Sequence, residues 1–237
     1  MRATTVTGAA VARTNGGGWD DGGMSASASV LRDRWVVLAK RWGAGRTAAE
    51  AGFVAIAGRY AEPVREYHTL DHVAAVLTTI DELVADEPVT DPVAVELAGW
   101  LHDVVYDPTR SDNEAESARY ARRALSMIRV PVSITDETAR LVELTAGHDV
   151  EPGDLDGAVL IDADLAVLGA PPEVYDRYAV AIRAEYAHVD EPSFRAGRRR
   201  VLEQFAERPH LFHTATGRAR FEDAARANLA RELDRLR

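Results

Sequence analysis

Four of the seven histidines, His68, His72, His102 and His148, fall beside carboxylates or other polar residues. His188, His210 and His213 lie in the C-terminal third without such company and read as surface or structural residues. Tyr67-His68-Thr69-Leu70-Asp71-His72 sets two histidines four apart, one face and one turn of a helix. That spacing suggests a zinc protease helix, but such a helix needs Glu directly after its first His, and Thr69 stands there. Taken alone, the pair reads better as two histidines capping and packing at a helix start. His102-Asp103 closes the apolar Trp100-Leu101 segment. Neighbours on a helix diverge by about 100°, yet both reach an ion lying in a groove along that edge. An acid at the end of a hydrophobic segment is costly unless it is paired or bound to a metal. Asp162 and Asp164 sit inside the apolar run Leu160 to Gly169. Asp162 suits a helix N-cap. Asp164 would then lie in the first turn, where the helix dipole favours it and its apolar setting favours a metal.

The elements that must position these residues read as helices throughout. Hydrophobic residues make up 46% and charged residues 28% of 237, which supports one sizeable core. Residues 1–28, rich in Gly, Ala and Ser, read as a disordered tail, leaving a single domain over 29–237. Thr47 to Glu50 forms a capping box for a helix to about Tyr60. Thr69 can cap the next helix, whose Val73, Val76, Leu77, Ile80, Leu83 and Val84 follow helical spacing. Asp91-Pro92 starts a helix through Trp100, Ser111 or Asp112 one to about Met127, and Thr135 one to about Ala146. Further helices are expected over roughly 158–168, 172–189, 193–207 and 215–236, with no alternating strand pattern. The expected fold is all-α, a compact bundle of about nine or ten helices.

Several function classes drop out on residue content. There is no cysteine, which excludes disulfides, thiolate metal sites and cysteine nucleophiles. Lys40 is the sole lysine and follows Ala39, so the Gly-Lys pair of a phosphate-binding loop is missing. A net charge of −10 argues against broad nucleic-acid binding. No apolar run is long enough to cross a membrane and no secretion signal opens the chain, so a cytoplasmic location is expected.

The order His, His-Asp, Asp on separate helices resembles the HD superfamily of metal-dependent phosphohydrolases, and more closely its bacterial family of predicted HD phosphohydrolases. The resemblance rests on Tyr67-His68 to His72, Leu101 to Pro108, Asp112-Asn113-Glu114 with Ser117-Ala118, and Thr145 with His148. Asp162 to Leu165, Ile182 to Tyr186 and Ala225 to Leu229 complete it, over about residues 30–236.

The resemblance implies an HD-type helical domain with His72, His102, Asp103 and Asp164 as metal ligands. The Tyr-His start is similar to that of cyclic-nucleotide phosphodiesterases, which implies that His68 is the general acid and makes His68 and Asp103 the catalytic pair. Two imidazoles and two carboxylates suit Mn²⁺, Fe²⁺, Co²⁺, Ni²⁺ or Zn²⁺ better than Ca²⁺, with Mg²⁺ admissible. Glu114 and His148 are candidates for a second ion or for orienting water, each with a plain helix-end explanation. Tyr106, Arg110, Asn113 and Arg183 are candidates to meet substrate, the arginines through bidentate bonds to phosphate. The expected function is hydrolysis of a small phosphate ester or nucleotide. The rivals are an HD-type di-iron oxygenase and a non-catalytic nucleotide-binding regulatory module.

Overall fold

The computed structural model describes residues 26–237, with side chains from residue 28 onward. Among these, ten α-helices and one short 3-10 turn form an all-α bundle without a strand. In chain order they are α1 (Ala26–Lys40), α2 (Arg46–Tyr60), α3 (Leu70–Leu83), α4 (Pro92–Leu101) and α5 (Asn113–Met127). There follow α6 (Val132–Leu144), α7 (Leu155–Leu165), the 3-10 turn (Ala166–Gly169), α8 (Pro172–Glu185), α9 (Glu191–Glu207) and α10 (Ala215–Arg235). Residues 1–25 of the expected tail lie outside the described residues. Residues 26–28 belong to α1, so the helical domain begins earlier than position 29.

Two helices, rich in apolar residues, are buried almost all round, and both end at site residues. Helix α4 buries Ala94, Val95 and every residue from Leu97 to Leu101. Helix α7 buries every residue from Asp156 to Ala163. A helix apolar on all faces belongs in an interior, and both lie in the middle of the bundle. Helix α4 packs on α3, α6 and α7, and α7 packs on α3 and α6. Trp100 on α4 is fully buried and meets Trp35 edge-on at 5.5 Å between ring centres. One apolar cluster joins α1 to α6 with one side of α7. A second joins Ile161 and Leu165, on another side of α7, to Tyr175, Leu202, Phe212 and Leu229.

Close approach of α3 and α4 depends on a missing side chain. A Cβ added at Gly99 would sit 2.7 Å from Ile80 Cδ1 and 3.2 Å from Leu77 Cδ2. Glycine there lets the helices that carry His72 and His102 come together.

Helix ends differ from the expectation at four places. Helix α2 is capped at Gly45, so Thr47 lies in its first turn. Helix α6 opens after Pro131, and Thr135 is a buried residue inside it. Proline fixes the backbone there, and an apolar face on α6 outweighs the capping preference of a lone threonine. Helix α7 begins after Asp154, whose side chain accepts from the Gly157 amide, which puts Asp162 and Asp164 in the last turn rather than the first. His68 precedes α3 by two residues, so the two histidines of the first motif do not share a helix. By contrast, Asp91 accepts from the amides of Val93 and Ala94 as an N-cap ahead of Pro92.

Candidate metal centre

Each arm of the site comes from a helix end. His72 lies in the first turn of α3, His102 caps the C-terminus of α4, Asp103 follows it, and Asp164 lies in the last turn of α7. The chain turns out of the helix after His102, which lets adjacent His102 and Asp103 face one point although helical neighbours diverge. Two helix C-termini converge here, the ends at which the helix dipole favours positive charge.

His72, His102 and Asp164 form a group whose ligand atoms all lie within 4.8 Å of one another. The two imidazole Nε2 atoms are 3.0 Å apart. Asp164 Oδ1 is 3.3 Å from His72 Nε2 and 3.5 Å from His102 Nε2. Asp103 Oδ2 stands 3.1 Å from His102 Nε2 and 3.5 Å from His72 Nε2. Donors bound at about 2.1 Å to one transition metal lie about 3.0 Å apart at right angles and about 3.4 Å apart in a tetrahedron. The observed separations match those edges, so the residues fit an ion.

The donor set also favours positive charge at its centre. His102 Nδ1 is 3.1 Å from the Gly99 carbonyl, which only accepts, so the proton sits on Nδ1 and the Nε2 lone pair faces inward. Two inward nitrogens and two carboxylates share a nearly dry space, which is unfavourable without positive charge between them. Burial pushes the pKa of His102 down, but the Asp103 and Asp164 carboxylates outweigh it and hold it well above the usual value. Burial likewise lowers His72, and hydrogen bonds to the same two acids bring it out higher. Burial raises Asp103 and Asp164, and the histidines carry both well below the usual carboxylate range. Protons or a metal ion can supply that charge, and they compete for it.

His68 stands beside this group, its ring centre 5.8 Å from that of His72 and its Nε2 4.0 Å from Asp103 Oδ2. Glu185 at the end of α8 accepts at 2.7 Å from His68 Nδ1. The same carboxylate accepts from the amides of Glu66, Tyr67 and His68 at 2.8–2.9 Å and from the Tyr106 hydroxyl at 2.8 Å. Burial alone would raise its pKa, but His68 and these donors hold it at about 2. Glu185 therefore stays ionised and keeps the proton on Nδ1, turning Nε2 toward the group. Arg65, with a fully buried side chain, donates to the carbonyls of His68 and Asp103 at 3.0 and 2.7 Å. It ties the bend before α3 to the turn after α4. Sequence reading assigned no role to Glu185 or Arg65; a buried charge is legible only once its surroundings are known.

The other candidates divide. His148 reaches Asp164 Oδ2 at 3.2 Å from a turn with φ of 53°. The Arg208 guanidinium braces that turn by donating to the His148 and Gly147 carbonyls. Glu114 lies in the first turn of α5, outside the His72 group, its side chain without a hydrogen bond or ion pair among the described residues. Tyr106 stacks on His68 with 4.2 Å between ring centres. Asn113 is buried and braces the Asp107 backbone, accepting from its amide and donating to its carbonyl. Arg110 pairs with Asp112. Arg183 pairs with Glu191 and caps the end of α8 through the Tyr186 and Val189 carbonyls. Asp162 points away from the group, accepting from the amides of His213 and Thr214 and from the Thr214 hydroxyl. That work fixes the start of α10.

Comparison with protein-family models, with curated proteins and with solved structures finds no match for the chain.

Proposed function

We propose that the protein is a metal-dependent phosphohydrolase of the HD type, acting on a small phosphate ester. The observation that carries this reading is one constellation: His72, His102, Asp103 and Asp164 around one point, with His68 beside it. Those four side chains would hold a divalent transition metal, which would supply Lewis acidity toward a phosphoryl oxygen and water. The protein's own residues supply the rest. Asp103 spans the imidazole pair and His68, lying 3.1 Å from His102 and 4.0 Å from His68. His68 protonates the leaving oxygen from Nε2 while Glu185 retains the Nδ1 proton. Tyr106 covers the His68 ring and limits its rotation.

The test is hydrolysis by the Mn²⁺-loaded protein of a panel of alkyl and nucleoside monophosphates. Phosphate release is expected, and His68→Gln should lower kcat by about 10²–10⁴-fold with metal content unchanged. No release from any ester by fully loaded protein would contradict the reading, as would undiminished kcat in the variant.

A further inference from the structure

A cleft of about 660 Å³ runs along α3, the 3-10 turn and α8, within the range of about 300–1,000 Å³ usual for small-molecule sites. His72 and Asp164 both form part of its wall, so the cleft is continuous with the candidate metal centre. Most of the wall is apolar, with Val76, Val167, Val174 and Phe221 contributing. Tyr67 and Tyr178 also line it, edge to face with 4.7 Å between ring centres. Charged groups occur at exposed positions: Glu66, Asp71 and Arg177. The Arg177 side chain makes no hydrogen bond or ion pair among the described residues. Two acids and one base leave that rim without an excess of positive charge, so the cleft does not select a second anionic group.

We infer that the cleft holds the organic part of the substrate, and that this part is a flat apolar group set off from the phosphate by a short spacer. Val76, Val167, Val174 and Phe221 offer no partner to a sugar hydroxyl, which would lose water against that part of the wall without gaining a hydrogen bond. An aromatic ring gains from burial there and from edge contacts with Tyr67 and Tyr178. The spacer follows from geometry. His68 does not line the cleft, and its ring centre is 5.8 Å from that of His72. An ester oxygen at His68 is therefore separated from a ring in the cleft by a few atoms.

The inference takes from the proposed function only the seat of the phosphate, and binding tests it apart from turnover. Phenethylphosphonate and methylphosphonate, titrated calorimetrically into Mn²⁺-loaded protein, share a head group and differ in the ring and its spacer. Phenethylphosphonate should bind about tenfold tighter or better. Ala75→Trp from α3 and Val174→Trp from α8 each fill the cleft from solvent-exposed positions. Either should abolish the advantage without changing Mn²⁺ content or methylphosphonate affinity. Equal affinities in the wild type, no binding of either compound, or an advantage that survives both fillings would overturn the inference. If the advantage is present and no ester is hydrolysed, the phosphohydrolase reading fails and the cleft assignment stands. If glycerol 3-phosphate is hydrolysed and the advantage is absent, the cleft assignment fails alone.

Discussion

The imidazoles of His102 and His68 are each held from behind by an acceptor, the Gly99 carbonyl for one and Glu185 for the other. The same device turns Nε2 of each ring toward the His72 group; on the proposed function it aims a lone pair at the ion in the first case and sets up a proton donor in the second. Glu185 has a folded-state pKa of about 2 against an ordinary 4.5. Its pKa is depressed, so the stability it contributes is fully present above about pH 4.5 and is lost as pH falls toward 2. The contribution is of order 3 kcal/mol. Glu185→Gln should remove that part of the acid dependence when Tm is followed from pH 6 to pH 2. It should also lower kcat while leaving metal content intact; an unchanged acid limb would show that Glu185 carries no such load. The residues that touch the centre were legible because His and Asp in apolar settings call for an explanation wherever they occur. Glu185 was not, because its partner His68 lies 117 positions away and a glutamate near a helix end has an ordinary explanation.

At the level of elements, α4 and α7 were visible as apolar segments, and their burial follows from that. Their ends were harder. Asp162 and Asp164 look alike as acids two apart, and reading the first as an N-cap inverted their place in the helix. Tertiary contacts separate them physically: Thr214 and the His213 amide take Asp162, while His72 and His102 face Asp164. Asp162→Asn should therefore cost about 1–3 kcal/mol of stability and spare metal binding, whereas Asp164→Asn should release metal. Denaturant melts and metal analysis on the two variants separate these outcomes, and metal loss in Asp162→Asn at a temperature where it is folded would reverse the assignment. Gly99 offers a second check, since a methyl group there meets Ile80 and Leu77. Overpacking costs about 1–3 kcal/mol and helix propensity returns about 1. Gly99→Ala should leave stability within about 2 kcal/mol of the wild type and weaken metal binding by moving α3 off α4; unchanged affinity would mean that the spacing is not critical.

The whole molecule brings His72, His102, Asp103 and Asp164 from the ends of three helices to one point between two apolar clusters that share α7. No helix among the described residues is long and apolar enough to cross a membrane. A net charge of −10 favours accumulation of cations around the protein. The all-α architecture was legible because helical periodicity repeats along the chain, while the meeting of its ends is a property of packing. Metal binding to the folded chain should raise its stability by about 2.7 kcal/mol at a free concentration one hundred times Kd. It should weaken as pH falls, because Asp103 and Asp164 raise the affinity of His72 and His102 for protons. The most direct test is elemental analysis of untagged wild type, His72→Ala and Asp103→Ala after reconstitution and dialysis against a weak chelator. The account predicts about one equivalent of Mn, Fe, Co, Ni or Zn in the wild type and little in either variant. A reconstituted wild type without metal, or variants that hold as much as the wild type, would contradict it.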